Sequence, residues 1–224
     1  MRSSAFRPGP DRCRSARLFR LCLCKGLADL GSRPLRDGEL TLRALRGSDR
    51  AAWSALRIRN HHWLQEWDAT LPQPDSSVPS TFAGMVRHLR REARAGRAWS
   101  FGIFANGVLV GQVTLGGVML GSMRSASIGY WIDQDHAGRG LMPRAVALVC
   151  DFAFFELGLH RLEINLRPEN RASRRVAEKL GFTAEGLRSK YMHINGDWRD
   201  HDCYVLLDGD LPGGVLAHYR ASTV

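Results

Sequence analysis

The sequence predicts a mixed sheet with helices packed on it, a fold of the α/β or α+β class. Apolar and polar residues alternate in several short segments, and apolar residues recur at helical spacing between those segments. Asn-Gly pairs at 106–107 and 195–196 each separate two strand-like runs. The 224 residues, 44% hydrophobic and 24% charged, suffice for one domain with a terminal extension.

The first half of the chain is predicted to contain one strand followed by helices. Leu40–Ala44 alternates apolar and polar residues, as a half-buried strand does. Ser48 is predicted to cap the next helix, and Asn60–Asp68 is predicted to be a short helix with two tryptophans. Three prolines in Leu71–Pro79 indicate a loop. Thr81–Ala95 has apolar residues at helical spacing and is predicted to be a helix.

The second half is predicted to alternate strands and helices between two hairpins. Gly181 is placed to end a helix, because glycine readily adopts the left-handed conformation found there. The predicted elements, in chain order, are a hairpin of Trp99–Phe104 and Val108–Leu115, a strand Ser125–Ile132, a polar turn Asp133–Arg139, a helix Gly140–Leu157, a strand Arg161–Leu166, a helix Ala172–Leu180, and a hairpin of Leu187–Ile194 and Trp198–Leu207.

The net charge of +10 is unevenly distributed. Residues 1–37 carry nine of the 32 Lys and Arg side chains but only three of the 22 Asp and Glu side chains. We therefore divide the chain into a basic N-terminal extension (1–37), one domain (38–212) and a C-terminal tail (213–224). The five cysteines lack zinc or redox spacing and fit a reducing compartment, which predicts a cytoplasmic location. No apolar run is long enough to span a membrane.

A glycine turn between a strand and a helix is the first candidate for chemistry. Gly138-Arg139-Gly140 follows the strand Ser125–Ile132 and opens the next helix. Glycines at that place let backbone amides approach a ligand, and the helix dipole favours an anion such as a pyrophosphate. The alternative is a tight turn without a ligand. The pattern is neither a Rossmann fingerprint nor a Walker loop.

Further motifs, which follow the glycine turn along the chain, point to a known family. Asn170 and Ser173 form an Asn-x-x-Ser at the start of a helix that ends in Leu180-Gly181-Phe182. Together with the glycine turn, these motifs resemble the GNAT superfamily of acyl-CoA-dependent N-acyltransferases. Leu40–Arg43 and Tyr191–His201 are similar to the RimJ/RimL branch, the ribosomal-protein N-terminal acetyltransferases. The resemblance extends over Glu39–Leu207, which is almost everything outside the extension.

The resemblance implies a mostly antiparallel central sheet with helices on both faces and a site for acetyl-CoA. The strand Gly129–Ile132 is expected to separate from its neighbour and to offer backbone groups to the pantetheine arm. Residues 137–142 are expected to hold the pyrophosphate. The implied cofactor-binding residues are Trp131, Ile132, His136, Ala137, Gly138, Arg139, Gly140, Leu141, Met142, Asn165, Asn170 and Ser173.

Two of these positions have a second interpretation, and the neighbouring Asp135 departs from the family pattern. Asp135 stands where the turn usually has Gln or Arg, and an acid beside a pyrophosphate is unfavourable unless its side chain points away. Arg139 is either a compensating cation or a solvated loop residue. Asn170 is also among the best residue types for a helix N-cap, and both of its roles are compatible.

The resemblance also implies direct transfer of acetyl to the N-terminal α-amino group of a protein. An α-amino group needs less help from a base than lysine does, since its ordinary pKa of about 7.7–8.0 lies far below about 10.4. Glu66 is the predicted base, with Asp68 and Asp133 as alternatives. Ser173 is predicted to donate a proton or hydrogen bond to the departing sulfur, with Tyr191 as the second candidate. No metal is expected, because no His or Cys group has metal-ligand spacing.

Other functions remain open at this stage. The acceptor is either a protein N-terminus, a small amine such as a polyamine or aminoglycoside, or a protein lysine. A different class of function is a non-catalytic ribosome- or RNA-associated factor that uses the basic extension. The expected partners are acetyl-CoA, the acceptor and the ribosome, with no membrane, and the chain is expected to be a monomer or a homodimer.

Overall fold

The computed structural model describes Leu30 and residues 33–73, 75 and 79–223. Most of the predicted N-terminal extension therefore lies outside the described residues. The strands are β1 (Leu35–Asp37), β2 (Leu40–Arg43), β3 (Trp99–Ala105), β4 (Val108–Met119), β5 (Ser125–Ile132), β6 (Arg161–Leu166), β7 (Thr183–Ile194) and β8 (Asp197–Leu207). The helices are α1 (Arg50–Arg59), α2 (His61–Gln65), α3 (Phe82–Arg94), α4 (Leu141–Asp151), α5 (Arg171–Lys179) and α6 (Val215–Ala221).

The eight strands form one sheet in the order β1-β2-β3-β4-β5-β6-β8-β7. Every neighbouring pair is antiparallel except β5 and β6, which run parallel. A parallel pair requires a crossover, and α4 supplies it, extended by a π-helical turn at Phe152–Glu156. The expected mixed, mostly antiparallel sheet is confirmed.

Helices cover both faces of the sheet, because neighbouring strand residues point to opposite sides. Ile103 belongs to the main core, which packs the sheet against α4. Phe104, the next residue, belongs to a smaller core with Leu56 of α1 and Val86 of α3. The sheet thus separates an α4 face, which also carries α5 and α6, from an α1 face.

Local features agree with most of the element predictions. Both Asn-Gly pairs form tight turns, with Asn106 at φ +48° and Asn195 at φ +47°. Gly181 ends α5 at φ +80°, as predicted. The cap predicted at Ser48 is wrong. A 3-10 turn at Gly47–Asp49 precedes α1, and the Asp49 carboxylate accepts hydrogen bonds from the backbone amide of Arg46 and the side chain of Arg43.

The ends of the domain are more structured than composition indicates. The sheet begins at Leu35, ahead of the predicted boundary at residue 38. The predicted C-terminal tail contains α6, which lies antiparallel against α4. The Asp151 carboxylate at the end of α4 accepts hydrogen bonds from the amides of Val215 and Leu216, at 2.6 and 3.3 Å. Among the described helices, none is long and apolar enough to cross a membrane.

Candidate active site

The glycine turn has the geometry of an anion cradle. Gly138 and Gly140 adopt φ of +76° and +73°, and Gly140 directly precedes α4. A Cβ on Gly138 would meet no atom within 4 Å, so the turn faces open space there. Within the described residues, no acceptor engages the backbone amides of residues 138–142. These amides and the start of α4 are suited to a phosphate group.

The charged side chains around this turn leave its positive character intact. Arg139 is exposed, and no ion pair engages it within the part of the chain that the structure describes. The Asp135 side chain is 73% exposed, and its Oδ2 lies 4.0 Å from Nε of Arg59. The acid that departs from the family pattern therefore extends into solvent near a cation.

Asp133, at the end of β5, connects this turn to α1. Its side chain is 1% exposed and accepts hydrogen bonds from Arg59 and Asn60, both at 2.7 Å. His136 Nδ1 lies 2.6 Å from Asp133 Oδ2. Burial raises the pKa of the Asp133 carboxyl, but the bonds from Arg59, Asn60 and His136 outweigh it and hold the pKa at about 2. Asp133 is thus a structural anchor and not the free base considered from the sequence.

The sheet opens between β5 and β6 next to the turn. The two strands pair only through Ser125–Ser127 of β5 and Arg161–Glu163 of β6. β5 continues to Ile132 and β6 to Leu166 without pairing to each other. Backbone groups along one edge of 129–132 thus lack a strand partner on the β6 side. The predicted separation of this strand from its neighbour is present.

The N-terminus of α5 lies beside this gap on the α4 face. Asn170 caps the helix, its Oδ1 accepting from the amide of Ser173 at 2.9 Å. Ser173 Oγ in turn lies 2.7 Å from the hydroxyl of Tyr130, which stands in the part of β5 that does not pair with β6. Sequence reasoning missed Tyr130, and the only signal for it was its position in the strand before the turn.

α2 and the residues after it close the gap on the opposite face. Trp63 Nε1 donates to the carbonyl of Ile132 at the end of β5, at 3.1 Å. Arg167, directly after β6, donates to the carbonyl of Glu66 at 3.0 Å and lies 5.2 Å from the Trp67 ring centroid. This segment therefore touches both strands where they separate, which sequence reasoning did not predict.

The candidate bases differ in their freedom to act. The Glu66 side chain is 58% exposed, and its Oε1 lies 3.9 Å from Arg167 Nη1. Asp68 is held by both terminal nitrogens of Arg57, whose guanidinium lies over the Trp131 ring at 5.3 Å. Of the acids considered from the sequence, Glu66 therefore has the most exposed side chain, at 58% against 34% for Asp68 and 1% for Asp133.

Tyr191 and Asn165 lie on the α1 face, away from Ser173. Tyr191 is 41% exposed on β7, packs edge-on against His201, and has the Arg188 guanidinium 4.9 Å from its ring centroid. Asn165 Oδ1 accepts a hydrogen bond from Arg188 at 3.2 Å. In the described residues, no hydrogen bond joins Tyr191 or Asn165 to Ser173. Their roles, like those of the other predicted site residues, stay predictions.

No group of three or more His, Cys, Asp or Glu side chains suited to a metal ion occurs among the described residues. Cys150 and Cys203 are buried free thiols in the core and the sheet.

The opened sheet beside the glycine turn agrees with the acyltransferase class that the motifs resemble, and the comparison with known families establishes that class. The model of the acetyltransferase (GNAT) domain matches residues 39–183, so the chain belongs to the GNAT acetyltransferase family. The predicted resemblance to this family and its RimJ/RimL branch is confirmed.

Individual relatives place the chain within that family. It is similar to the ribosomal protein uS5-alanine N-acetyltransferase of Escherichia coli, with 30% identity over 172 residues, covering 74% of this chain and 87% of that protein. It is 45% identical over 114 residues to YjcK of Bacillus subtilis, which covers 50% of this chain and 63% of that protein. RimJ of Mycobacterium smegmatis, solved in complex with CoA-disulfide, is 35% identical with a TM-score of 0.77, covering 85% of this chain and 93% of that one.

Proposed function

We propose that this chain transfers the acetyl group of acetyl-CoA to the N-terminal α-amino group of a protein. The observation that carries the proposal is the glycine turn with its acceptor-free amides beside the gap between β5 and β6. The similarity to the uS5-alanine enzyme and to a CoA-bound RimJ supports a ribosomal protein as acceptor and the cytoplasm as location.

The chain's residues fit the two ends of acetyl-CoA. The amides of residues 138–142 would bind the pyrophosphate, with the exposed Arg139 as a further cation. The unpaired edge of 129–132 would hydrogen-bond the amide groups of the pantetheine arm. Asn170 and Ser173, at the start of α5, would then lie at the thioester end. No metal is part of this proposal.

The acceptor amine meets the thioester beside the exposed Glu66 side chain, which lies next to the gap on the α1 face. Holding the amine next to the thioester supplies much of the rate acceleration by proximity. At neutral pH roughly 300 times more of an α-amino group than of a lysine is uncharged, on their ordinary pKa values. One exposed carboxylate acting through water therefore suffices as base, and Glu66 is our candidate.

Matched peptides test the proposal directly. One peptide has a free N-terminus and no lysine, and the other has a blocked N-terminus and one lysine. Purified protein and acetyl-CoA are incubated with each, and mass spectrometry reads the products. We expect acetylation of the first peptide alone.

Other outcomes would redirect the assignment. Acetylation of the lysine peptide identifies an ε-amine enzyme, and acetylation only of added small amines, such as a polyamine or an aminoglycoside, identifies a small-molecule enzyme. If no amine reacts, a non-catalytic ribosome-associated role replaces the proposal.

A further inference from the structure

Tyr130 and Ser173 form a hydroxyl pair at the gap between β5 and β6. The two oxygens are 2.7 Å apart, while the Tyr130 hydroxyl is 3.4 Å from the Ser173 carbonyl. Tyr130 lies beyond Ser127, the last residue of β5 that pairs with β6. Its side chain points to the α4 face, like that of Ile128 two residues earlier, and its ring packs against the main core.

The chemistry of the two groups decides which one donates. A phenol, with an ordinary pKa of about 10, is a stronger acid and a better donor than an aliphatic hydroxyl. Burial raises the pKa of Tyr130, and the bond to Ser173 offsets this only in part. Tyr130 therefore keeps its proton through the neutral range. When Tyr130 donates to Ser173 Oγ, the serine proton is free to point elsewhere.

The position of Ser173 at the start of α5 determines what its hydroxyl can donate to. Its amide is fixed by the Asn170 cap, so the residue is held in the first turn of α5. Negative charge is favoured at the N-terminus of a helix. A hydrogen-bond donor at this point, beside an opening in the sheet, is suited to a group that gains negative charge.

We propose that Tyr130 is a positioning residue that turns the Ser173 hydroxyl toward the sulfur of the bound thioester. This inference rests on the proposed function. The Tyr130 phenol acts only through Ser173, whatever contacts the Tyr130 backbone makes with the pantetheine arm. A donated bond also polarises the acceptor hydroxyl, so Ser173 becomes a stronger donor than an isolated serine.

The transfer step then balances without a proton leaving Ser173. The amine nitrogen forms a bond to the acetyl carbon, the carbon–sulfur bond breaks, and sulfur takes the electron pair. The Ser173 hydroxyl stabilises that thiolate by a hydrogen bond. The amine loses one proton to water through the base, and the thiolate gains one from water, giving the amide and free CoA.

The first test measures the pKa of the thiol of bound CoA, by the ultraviolet absorbance of its thiolate. In the wild type we expect this pKa to lie below that of free CoA. Tyr130→Phe and Ser173→Ala should each raise it toward the free value. The control is Tyr204→Phe, a buried tyrosine of β8 for which no side-chain hydrogen bond is found among the described residues, and it should leave the pKa unchanged. A bound thiol that titrates identically in all four proteins overturns the inference.

The second test is a double-mutant cycle on peptide acetylation. Tyr130→Phe is expected to lower kcat roughly tenfold with KM for acetyl-CoA unchanged, and to have no further effect when Ser173 is already alanine. Additive losses, or a change in KM alone, would show a merely structural role. If the wild type acetylates no peptide, the proposed function fails, while the thiol titration still decides whether the hydroxyl pair acts on sulfur.

Discussion

At the scale of single residues, Asp133 shows how a buried charge can serve geometry instead of catalysis. Its carboxylate bonds to Arg59 and Asn60 of the α1 region and contacts His136 of the turn, so it fixes these segments relative to one another. Replacing this buried carboxylate destabilises the fold, because each of its three partners loses a charge-assisted bond. Replacing one of the partners is also destabilising, because the carboxylate stays buried with fewer bonds.

We predict that Asp133→Asn lowers the free energy of unfolding by about 2–3 kcal/mol at pH 7. The carboxylate, whose pKa falls from 3.8 to about 2 on folding, stabilises the protein above about pH 4, and this contribution is lost as the pH falls toward 2. Denaturant unfolding of wild type and variant should therefore differ at pH 7 and converge toward pH 2. Asp135→Asn, at an exposed position, should change stability by less than about 0.5 kcal/mol. If the difference in unfolding free energy between wild type and Asp133→Asn were the same at pH 2 as at pH 7, the stabilising role of the Asp133 carboxylate would be contradicted.

Gly138 offers a second test at the residue scale. Gly138→Ala places a methyl group in the open space over the turn at φ +76°, so we expect CoA to bind at least tenfold more weakly in calorimetry. Gly107→Ala in the β3–β4 hairpin is the matched control, with φ +80° and equally open surroundings. Both substitutions carry a similar backbone strain of roughly 1–2 kcal/mol. Equal CoA affinity in the two variants would exclude the turn as the phosphate site.

At the scale of elements, the gap between β5 and β6 organises the site. β4 keeps its pairing with β5 as far as Ile132, whereas β6 leaves β5 after Glu163. A Cβ on Gly111 would clash with the Trp131 carbonyl, so the close approach of β4 to β5 requires glycine there. β5 therefore stays paired with β4 where β6 diverges from it, and α2 closes the end of the gap at Ile132.

The start of α5 allows the structural role of Asn170 to be separated from its proposed binding role. Asn170→Ala should destabilise the protein by about 1 kcal/mol, since the cap to Ser173 is lost. Asn170→Asp keeps a capping oxygen and should preserve thermal stability. If the side-chain amide also binds acetyl-CoA, this variant should still lose affinity for CoA. If Asn170→Asp binds CoA with unchanged affinity, Asn170 acts only as the N-cap of α5.

At the scale of the whole molecule, β1 and α6, the first and last elements that the structure describes, are joined to each other and to α4. Arg144 of α4 and Arg220 of α6 both pair with Asp37 of β1. Burial raises the pKa of Asp37, but hydrogen bonds from Arg144 and Arg220 outweigh it, so the carboxylate stays charged. A Cβ on Gly140 would lie 3.2 Å from the Tyr219 hydroxyl, which puts α6 against the glycine turn.

Removing α6 should therefore affect both stability and binding. A chain that stops after Gly213 is expected to lower Tm by several degrees, because it uncovers α4 and breaks the pair of Arg220 with Asp37. It should also bind CoA more weakly, since Tyr219 no longer supports the turn. A chain that stops after Ala221 is the control and should match the wild type in thermal unfolding and CoA titration. If the chain without α6 binds CoA with full affinity, α6 does not support the glycine turn in binding.

The sequence predicted the elements best where their causes are local. The ranges of β5 and β6 agree with the predicted strands residue for residue. Successive side chains of a strand point to opposite faces, so the sequence of a strand shows which residues are buried. The Ser48 cap failed because the competing acceptor, Asp49, is recruited by Arg43 of a neighbouring strand. The predicted domain start at residue 38 rests on charge, composition and the lack of periodicity before it, none of which reports the pairing of the short strand β1 with β2.

By itself, then, the sequence determined the periodic elements, both hairpins, the glycine turn and the order of motifs that places the chain in the GNAT family. Only the tertiary structure decided which side chains meet. Tyr130 and Ser173 are 43 residues apart, and Arg59 and Asp133 are 74 apart. Such pairs leave no periodic pattern in the sequence. They arise because sheet register and helix packing bring distant segments together, and only there do burial and charge fix the role of each group.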